Sequence, residues 1–186
     1  AIEINPSYIE AYEQLAVAHS LHGDYIGALS DLSRAIKIKP NNVALIKKRA
    51  VMQYAAKNFK GALADITKCI SLEPDTAFNY YYRARLKDTL QDETGACKDA
   101  FEALKRGSKP AYRFLKSKNC ATFTQEPYFK GVDYQVLAAE RENAGDFAAA
   151  VDYYSKAIEV FPDSFNLYFQ RGRLKRKLIK YEDAMA

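Results

Sequence analysis

The stretch "GDYIGALSDLSRAIKIKP", residues 23–40, decides how the rest of the chain reads. It opens at a single glycine beside a turn, places the small residues Ala28 and Ala35 along an apolar helical run, and stops at Pro40. Its ending, "AIKIKP", recurs as "AIEINP", "CISLEP" and "AIEVFP", and Pro6, Pro40 and Pro74 stand 34 residues apart. Self-similarity at this interval is the signature of stacked helical hairpins.

Stepping by 34 from Ile9 gives units that begin at Ile9, Val43 and Ala77, and their small residues fall into line. Ala16, Ala28 and Ala35 of the first match Ala50, Ala62 and Cys69 of the second and Ala84, Ala96 and Ala103 of the third. Small side chains at these places let two antiparallel helices approach to about 8–10 Å, and a bulky residue would push them apart. Larger residues such as Tyr12, Leu15, Tyr25 and Leu32, matched by Ile46, Phe59 and Ile66, fill the space between helices.

The segment "YEQLAVAH…GDYIGALSDLSRAIKIKP" resembles the tetratricopeptide repeat, with Tyr12 in the tryptophan place and His19 in the tyrosine place. The resemblance implies an all-α, right-handed superhelical solenoid of antiparallel helix pairs. Residues 1–119 are expected to form one array: a partial repeat at 1–8, repeats at 9–42, 43–76 and 77–108, and a capping helix at 109–119. Residues 120–129 are expected to link it to a second array at 130–186, with a repeat at 131–164, whose small places hold Ala138, Ala150 and Ala157. A partial repeat at 165–186, stopping partway through its second helix, completes it.

The break in the period carries its own information. Pro110 and Pro162 are 52 residues apart, so about 18 residues are inserted after the third unit. "GSKP" reads as a helix stop followed by a new start, since Pro110 suits a first helical turn. In "PAYRFLKSKN", Tyr112, Phe114 and Leu115 supply one apolar side, enough for a short helix that covers the open end of an array.

Composition narrows the chemistry. With 186 residues, 48% apolar and 27% charged, the chain can bury a substantial core, and no apolar run approaches the roughly 20 residues that a membrane span needs. Cys69, Cys97 and Cys120 form no C-x-x-C pair, and their odd number favours reduced thiols. Cys69 is expected in the core, Cys97 is expected to be inert, and Cys120 is expected to be the most exposed. His19 and His22 lack further ligands at metal spacing, and the glycines form no phosphate-binding loop. Neither catalysis nor a cofactor or metal is expected.

Function must then come from surfaces. The family resemblance implies a concave groove lined by the first helices of successive units. In "FNYYYRARLK", residues 78–87, Tyr80 shares the place of Tyr12, Ile46, Tyr134 and Tyr168 and is expected in the core, whereas Tyr81 and Tyr82 are expected to face the groove. Lys47, Lys48, Tyr54, Phe78, Tyr81, Tyr82 and Arg85 form the expected partner-binding cluster, because Tyr and Arg dominate energetically important interface positions. The expected role is a protein–protein interaction scaffold that binds a peptide of acidic or aromatic character. Related repeats that hold chaperone carboxy-terminal tails use Lys and Asn in the first unit and Lys and Arg in the third. Here those places hold Glu13, Val17, Phe78 and Tyr82, so a chaperone tail is not expected.

Charge is unevenly spread. Residues 1–33 hold five acids and no Lys or Arg, whereas "RGRLKRKLIK", residues 171–180, holds six basic residues. Arg173, Arg176 and Lys177 therefore form a secondary basic patch, an alternative site for nucleic acid or an acidic partner. Interleaved aromatics for base stacking are missing from that run, which weighs against nucleic acid. A third alternative is an architectural array that associates with itself through truncated ends. The 95–120 stretch looks like the closing segment of bacterial members of the family; a cytoplasmic location is favoured, with a periplasmic one the alternative for a bacterial protein.

Overall fold

The computed structural model describes residues 8–118 and 120–185, with side chains up to Ile179, and the expected partial repeat at 1–8 lies almost wholly outside the described residues. The chain divides after Lys118 into two compact units. In the first, α1 (Ile9–Leu21) pairs with α2 (Tyr25–Ile38), α3 (Val43–Ala55) with α4 (Phe59–Leu72), and α5 (Ala77–Thr89) with α6 (Glu93–Lys105); α7 (Lys109–Ser117) follows. Each helix packs on the next in chain order. The second unit contains α8 (Ala121–Thr124), α9 (Pro127–Asn143), α10 (Phe147–Val160) and α11 (Phe165–Met185). Helix α9 thus takes in residues 127–129 of the expected linker.

Local chemistry places the turns. Within four hairpins the chain reverses through one residue in the left-handed region: Gly23 (φ 76°), Lys57 (φ 60°), Gln91 (φ 65°) and Gly145 (φ 80°). The next residue caps the second helix. The side chains of Asp24, Asn58, Asp92 and Asp146 accept from the amides of Gly27, Gly61, Gly95 and Ala149 at 2.9–3.1 Å. Capping supplies a partner for amides that the helix itself leaves unpaired.

The same rule explains a departure from the sequence reading. Residues 165–186 were expected to turn into a second helix, but α11 runs unbroken over 21 residues. By the 34-residue count its turn place falls on Ile179 and its cap place on Lys180. A β-branched residue is severely strained at positive φ, and lysine has no side-chain acceptor for the cap. The helix therefore continues.

Between paired helices the small places are closed to solvent: Ala28, Ala35, Ala50, Ala62, Cys69, Ala84 and Ala103 in the first unit, Ala138, Ala150 and Ala157 in the second. Leu32, Leu45 and Ile46 fill one core cluster with Tyr12 and Ala16. In the second unit Tyr154, Ile158, Leu167 and Leu174 fill another. Gly131 lets α9 close on α10, since a Cβ there would lie 2.5 Å from the Phe161 ring and 2.7 Å from Val160.

A polar feature repeats beside this apolar contact. Asp31, Asp65 and Asp99, 34 residues apart, are buried on α2, α4 and α6. Arg49 on α3 donates from Nε and Nη2 to both oxygens of Asp65 at 2.8 and 2.6 Å, and Arg83 on α5 does the same to Asp99 at 2.7 Å each. Lys87 adds a third contact to Asp99 at 2.8 Å. Asp31 instead meets His19 Nδ1 at 2.9 Å. The hydrogen bond to Asp65 raises the Arg49 guanidinium above its ordinary pKa. Arg49 also donates to Ser33 of the preceding hairpin at 3.3 Å.

Cys69 lies in the core as expected, but the other two cysteines depart from expectation. Cys69 is the free, buried thiol, pushed up to about 11 by burial. Cys97 and Cys120 are disulfide-bonded, and Cys120 is 4% exposed instead of being the outermost of the three.

Two stability predictions follow from these contacts. Asn79 is fully buried on α5, and neither its Oδ1 nor its Nδ2 has a hydrogen-bond partner among the described residues, whereas the matching places hold Leu45 and Leu167. Asn79→Leu should raise the free energy of unfolding in urea by roughly 1–3 kcal/mol, by removing two desolvated, unpaired groups. Arg49→Leu should lower it by about 3–5 kcal/mol, because Asp65 would remain buried without its cation. The double change Arg49→Leu/Asp65→Leu should cost clearly less than Arg49→Leu alone.

Candidate partner-binding groove

Helix rotation set by the small places decides what α1, α3 and α5 display. Ala16, Ala50 and Ala84 face the partner helices, so residues one, two, five or six positions away, which lie about 100–200° around the helix, turn away from that contact. Val17 and Leu21 from α1, Val51 and Met52 from α3, and Phe78 from α5 line one pocket of about 350 Å³, with Glu13, Lys47 and Lys48 at its margin. Four of these apolar side chains are open to solvent, Leu21 at 82%, Phe78 at 53%, Val17 at 49% and Val51 at 43%.

The two lysines at the margin are already paired. Lys48 Nζ lies 2.9 Å from Glu13, tying α3 to α1, and Lys47 Nζ lies 2.7 Å from Glu73. The Lys47 hydrogen bond holds the Glu73 carboxyl below its usual range. The pocket therefore offers apolar surface and little unbalanced charge.

Aromatic rings gather beside it. Phe78 and Tyr82 stack with centroids 5.7 Å apart, and Tyr54 stands 6.1 Å from Tyr82 and 5.4 Å, edge-on, from Phe59. Tyr82 also packs on the core of Ala50, Ala62, Ile66 and Leu86. Burial, with Tyr54 close by, raises its phenol pKa.

Tyr81 and Arg85 point elsewhere. Tyr81 meets Phe114 of α7 edge-on at 6.3 Å, and both it and Arg85 line a second pocket, between α5 and α7, of about 430 Å³. The seven residues expected in one cluster thus stand around two pockets on α5. Tyr80, expected in the core, is half-buried, with the Arg106 guanidinium 4.1 Å above its ring. An arginine covers this ring where Tyr12 and Ile46 are closed over by apolar neighbours.

In the second unit, Arg173 lies 2.5 Å and Lys177 3.9 Å from Glu142 on α9, while Arg176 is exposed. Burial, then the Glu142 charge, raises the pKa of nearby Tyr154. Two cations of the basic run are therefore turned onto a carboxylate of their own unit.

Sequence reading missed the paired Arg–Asp contacts, Met52 and Leu21 in the first pocket, and Arg113 in the second. The first had a visible signal, since Asp31, Asp65 and Asp99, and Arg49 and Arg83, recur at the repeat interval. Among the described residues, no group of three or more His, Cys, Asp or Glu is placed to hold a metal ion, and no helix is long and apolar enough to cross a membrane.

Known proteins place this architecture. A family model described as tetratricopeptide repeat matches residues 134–164. No curated protein sequence matches the chain. Among solved structures, MamA superposes with a TM-score of 0.51 at 18% identity, covering 95% of this chain and 86% of its own. The first tetratricopeptide domain of Spaghetti (RPAP3), bound to the HSP90 peptide SRMEEVD, has a TM-score of 0.54 at 21% identity, over 61% of this chain and 92% of its own. The Sgt2 tetratricopeptide domain from Aspergillus fumigatus gives 0.54 at 17% identity, over 62% of this chain and 80% of its own. Residues 134–164 thus form one tetratricopeptide repeat, and the hairpins that precede it share the fold of the solved tetratricopeptide domains.

Proposed function

We propose that the first unit is a non-catalytic binding module that takes a peptide segment of a protein partner into the groove of α1, α3 and α5. The observation that carries this reading is the gathering of Val17, Leu21, Val51 and Phe78, all open to solvent, around one pocket of about 350 Å³. Exposed apolar side chains scattered singly are ordinary, but contiguous ones in a concavity mark binding sites. An apolar side chain of the partner would occupy the pocket, and the Tyr54, Phe78 and Tyr82 rings would flank the bound segment. Rigid aromatic area of this kind contributes contact at low entropic cost.

The similar domain of Spaghetti is bound to a peptide ending in acidic residues. In this chain the clamp places hold Glu13, Val17, Phe78 and Tyr82, and Lys47 and Lys48 are engaged by Glu73 and Glu13. This arrangement favours an apolar anchor over a two-carboxylate tail. Family likeness supports the general role of interaction scaffold, and the pocket supports the choice of ligand.

A displayed random-peptide library selected on the whole chain tests the proposal. Selection should enrich segments carrying Leu, Ile, Met or Phe, and Val51→Asp should weaken their binding by at least tenfold in fluorescence polarisation while leaving the thermal midpoint within a few degrees. Enriched peptides that bind Val51→Asp as tightly as the parent chain, or a failure to enrich any sequence, would remove the groove as the binding site.

A further inference from the structure

Arginine pairing in the first unit shows an exception that the groove does not use. The unit contains Arg34, Arg49, Arg83, Arg85, Arg106 and Arg113. Four of them meet carboxylates: Arg34 with Asp31, Arg49 with Asp65, Arg83 with Asp99 and Arg106 with Glu102. Arg85 and Arg113 form no ion pair among the described residues, and both line the pocket between α5 and α7. Lys118 lines it as well, but Asp88 holds its Nζ at 2.9 Å, so that this pair is internally balanced. What remains is two unpaired guanidiniums in a concavity of about 430 Å³.

We propose that this pocket is an oxyanion-binding subsite, which takes a carboxylate- or phosphate-bearing side chain of a protein partner. Guanidinium presents a planar fork of donors that matches either oxyanion in bidentate geometry, and two forks in one concavity favour a single ligand group between them. The Tyr81 hydroxyl, which no group of the described residues engages, supplies a further donor at the same wall, where its ring meets Phe114 edge-on. The balanced Asp88–Lys118 pair leaves the side chains lining the pocket with an excess of two positive charges. Such an excess attracts acidic partners and fades as salt rises. The subsite stands on α7 as much as on α5, so it is independent of the apolar groove, and either can fail without the other.

Nuclear magnetic resonance of the arginine Nε–H groups tests it on the whole chain. The probes are N-acetyl-glutamate amide, N-acetyl-phosphoserine amide and, as the neutral control, N-acetyl-glutamine amide, all at constant ionic strength. Arg85 and Arg113 should shift together and saturate with at least one charged probe. The probe that binds more tightly identifies the oxyanion that the partner carries. Arg85→Gln and Arg113→Gln, both at exposed positions, should each weaken that binding at least fivefold with an unchanged thermal midpoint, and Val51→Asp should leave it unaltered. Unsaturable shifts spread equally over Arg34, Arg49 and Arg106, or equal shifts with the glutamine probe, would overturn the subsite.

Discussion

Everything this molecule displays depends on how closely its paired helices approach. Ala28, Ala35, Ala50, Ala62 and Ala84 have no exposed surface, because each lies where one helix crosses another. A methyl group is about the largest side chain that such crossings tolerate without strain. Once those contacts are set, the rotation of each helix is set, and the outward face follows from the 3.6-residue period. The groove residues are therefore placed by alanines they never touch.

Charge is distributed with the same economy. In the first unit several cations are spent on carboxylates outside their own helix: Arg49 and Arg83 on buried aspartates, Lys47 and Lys48 on glutamates near the groove. Buried pairs of this type add little net stability over apolar residues, but each demands one arrangement of its two helices. The fourth full repeat shows the alternative, with Leu137 and Tyr153 at the places that Arg49 and Asp65 occupy in the second. Places that carry an ionic pair in one repeat thus carry an aliphatic and an aromatic residue in another. Against this background an apolar pocket and a cationic one, side by side on α5, are chemically distinct surfaces.

The repeat, its small places and its capping turns were legible because they recur, and recurrence needs no knowledge of contacts. The direction of Tyr82 was legible in part, since its place in the repeat sends it toward Phe78 and Tyr54. Tyr81 was less so, because α7 lies outside the repeat count and only packing brings Phe114 to it. Tyr80 was misread for a similar reason. Its neighbour Arg106 falls at the end of α6, where the third unit departs from the proline of the others, and no periodicity could announce a guanidinium over that ring. The continuity of α11 was readable in principle from Ile179 at the turn place, once the left-handed residues of the other hairpins were known. Pairing states of single lysines depend on side-chain reach and leave no trace in spacing.

The bond from Arg49 to Ser33 joins one hairpin to the one before it, while the same guanidinium grips Asp65 within its own. A side chain shared in this way makes adjacent repeats thermodynamically interdependent: melting of α3 and α4 strips a donor from α2, and loosening of α2 frees the arginine to reorient. Nearest-neighbour terms of this kind are what turn a row of individually marginal hairpins into a domain that unfolds cooperatively. The interior of the array would accordingly show slower amide hydrogen exchange than its ends, and a ligand seated across the first helices of three successive hairpins would be gripped by a surface that resists opening as a whole.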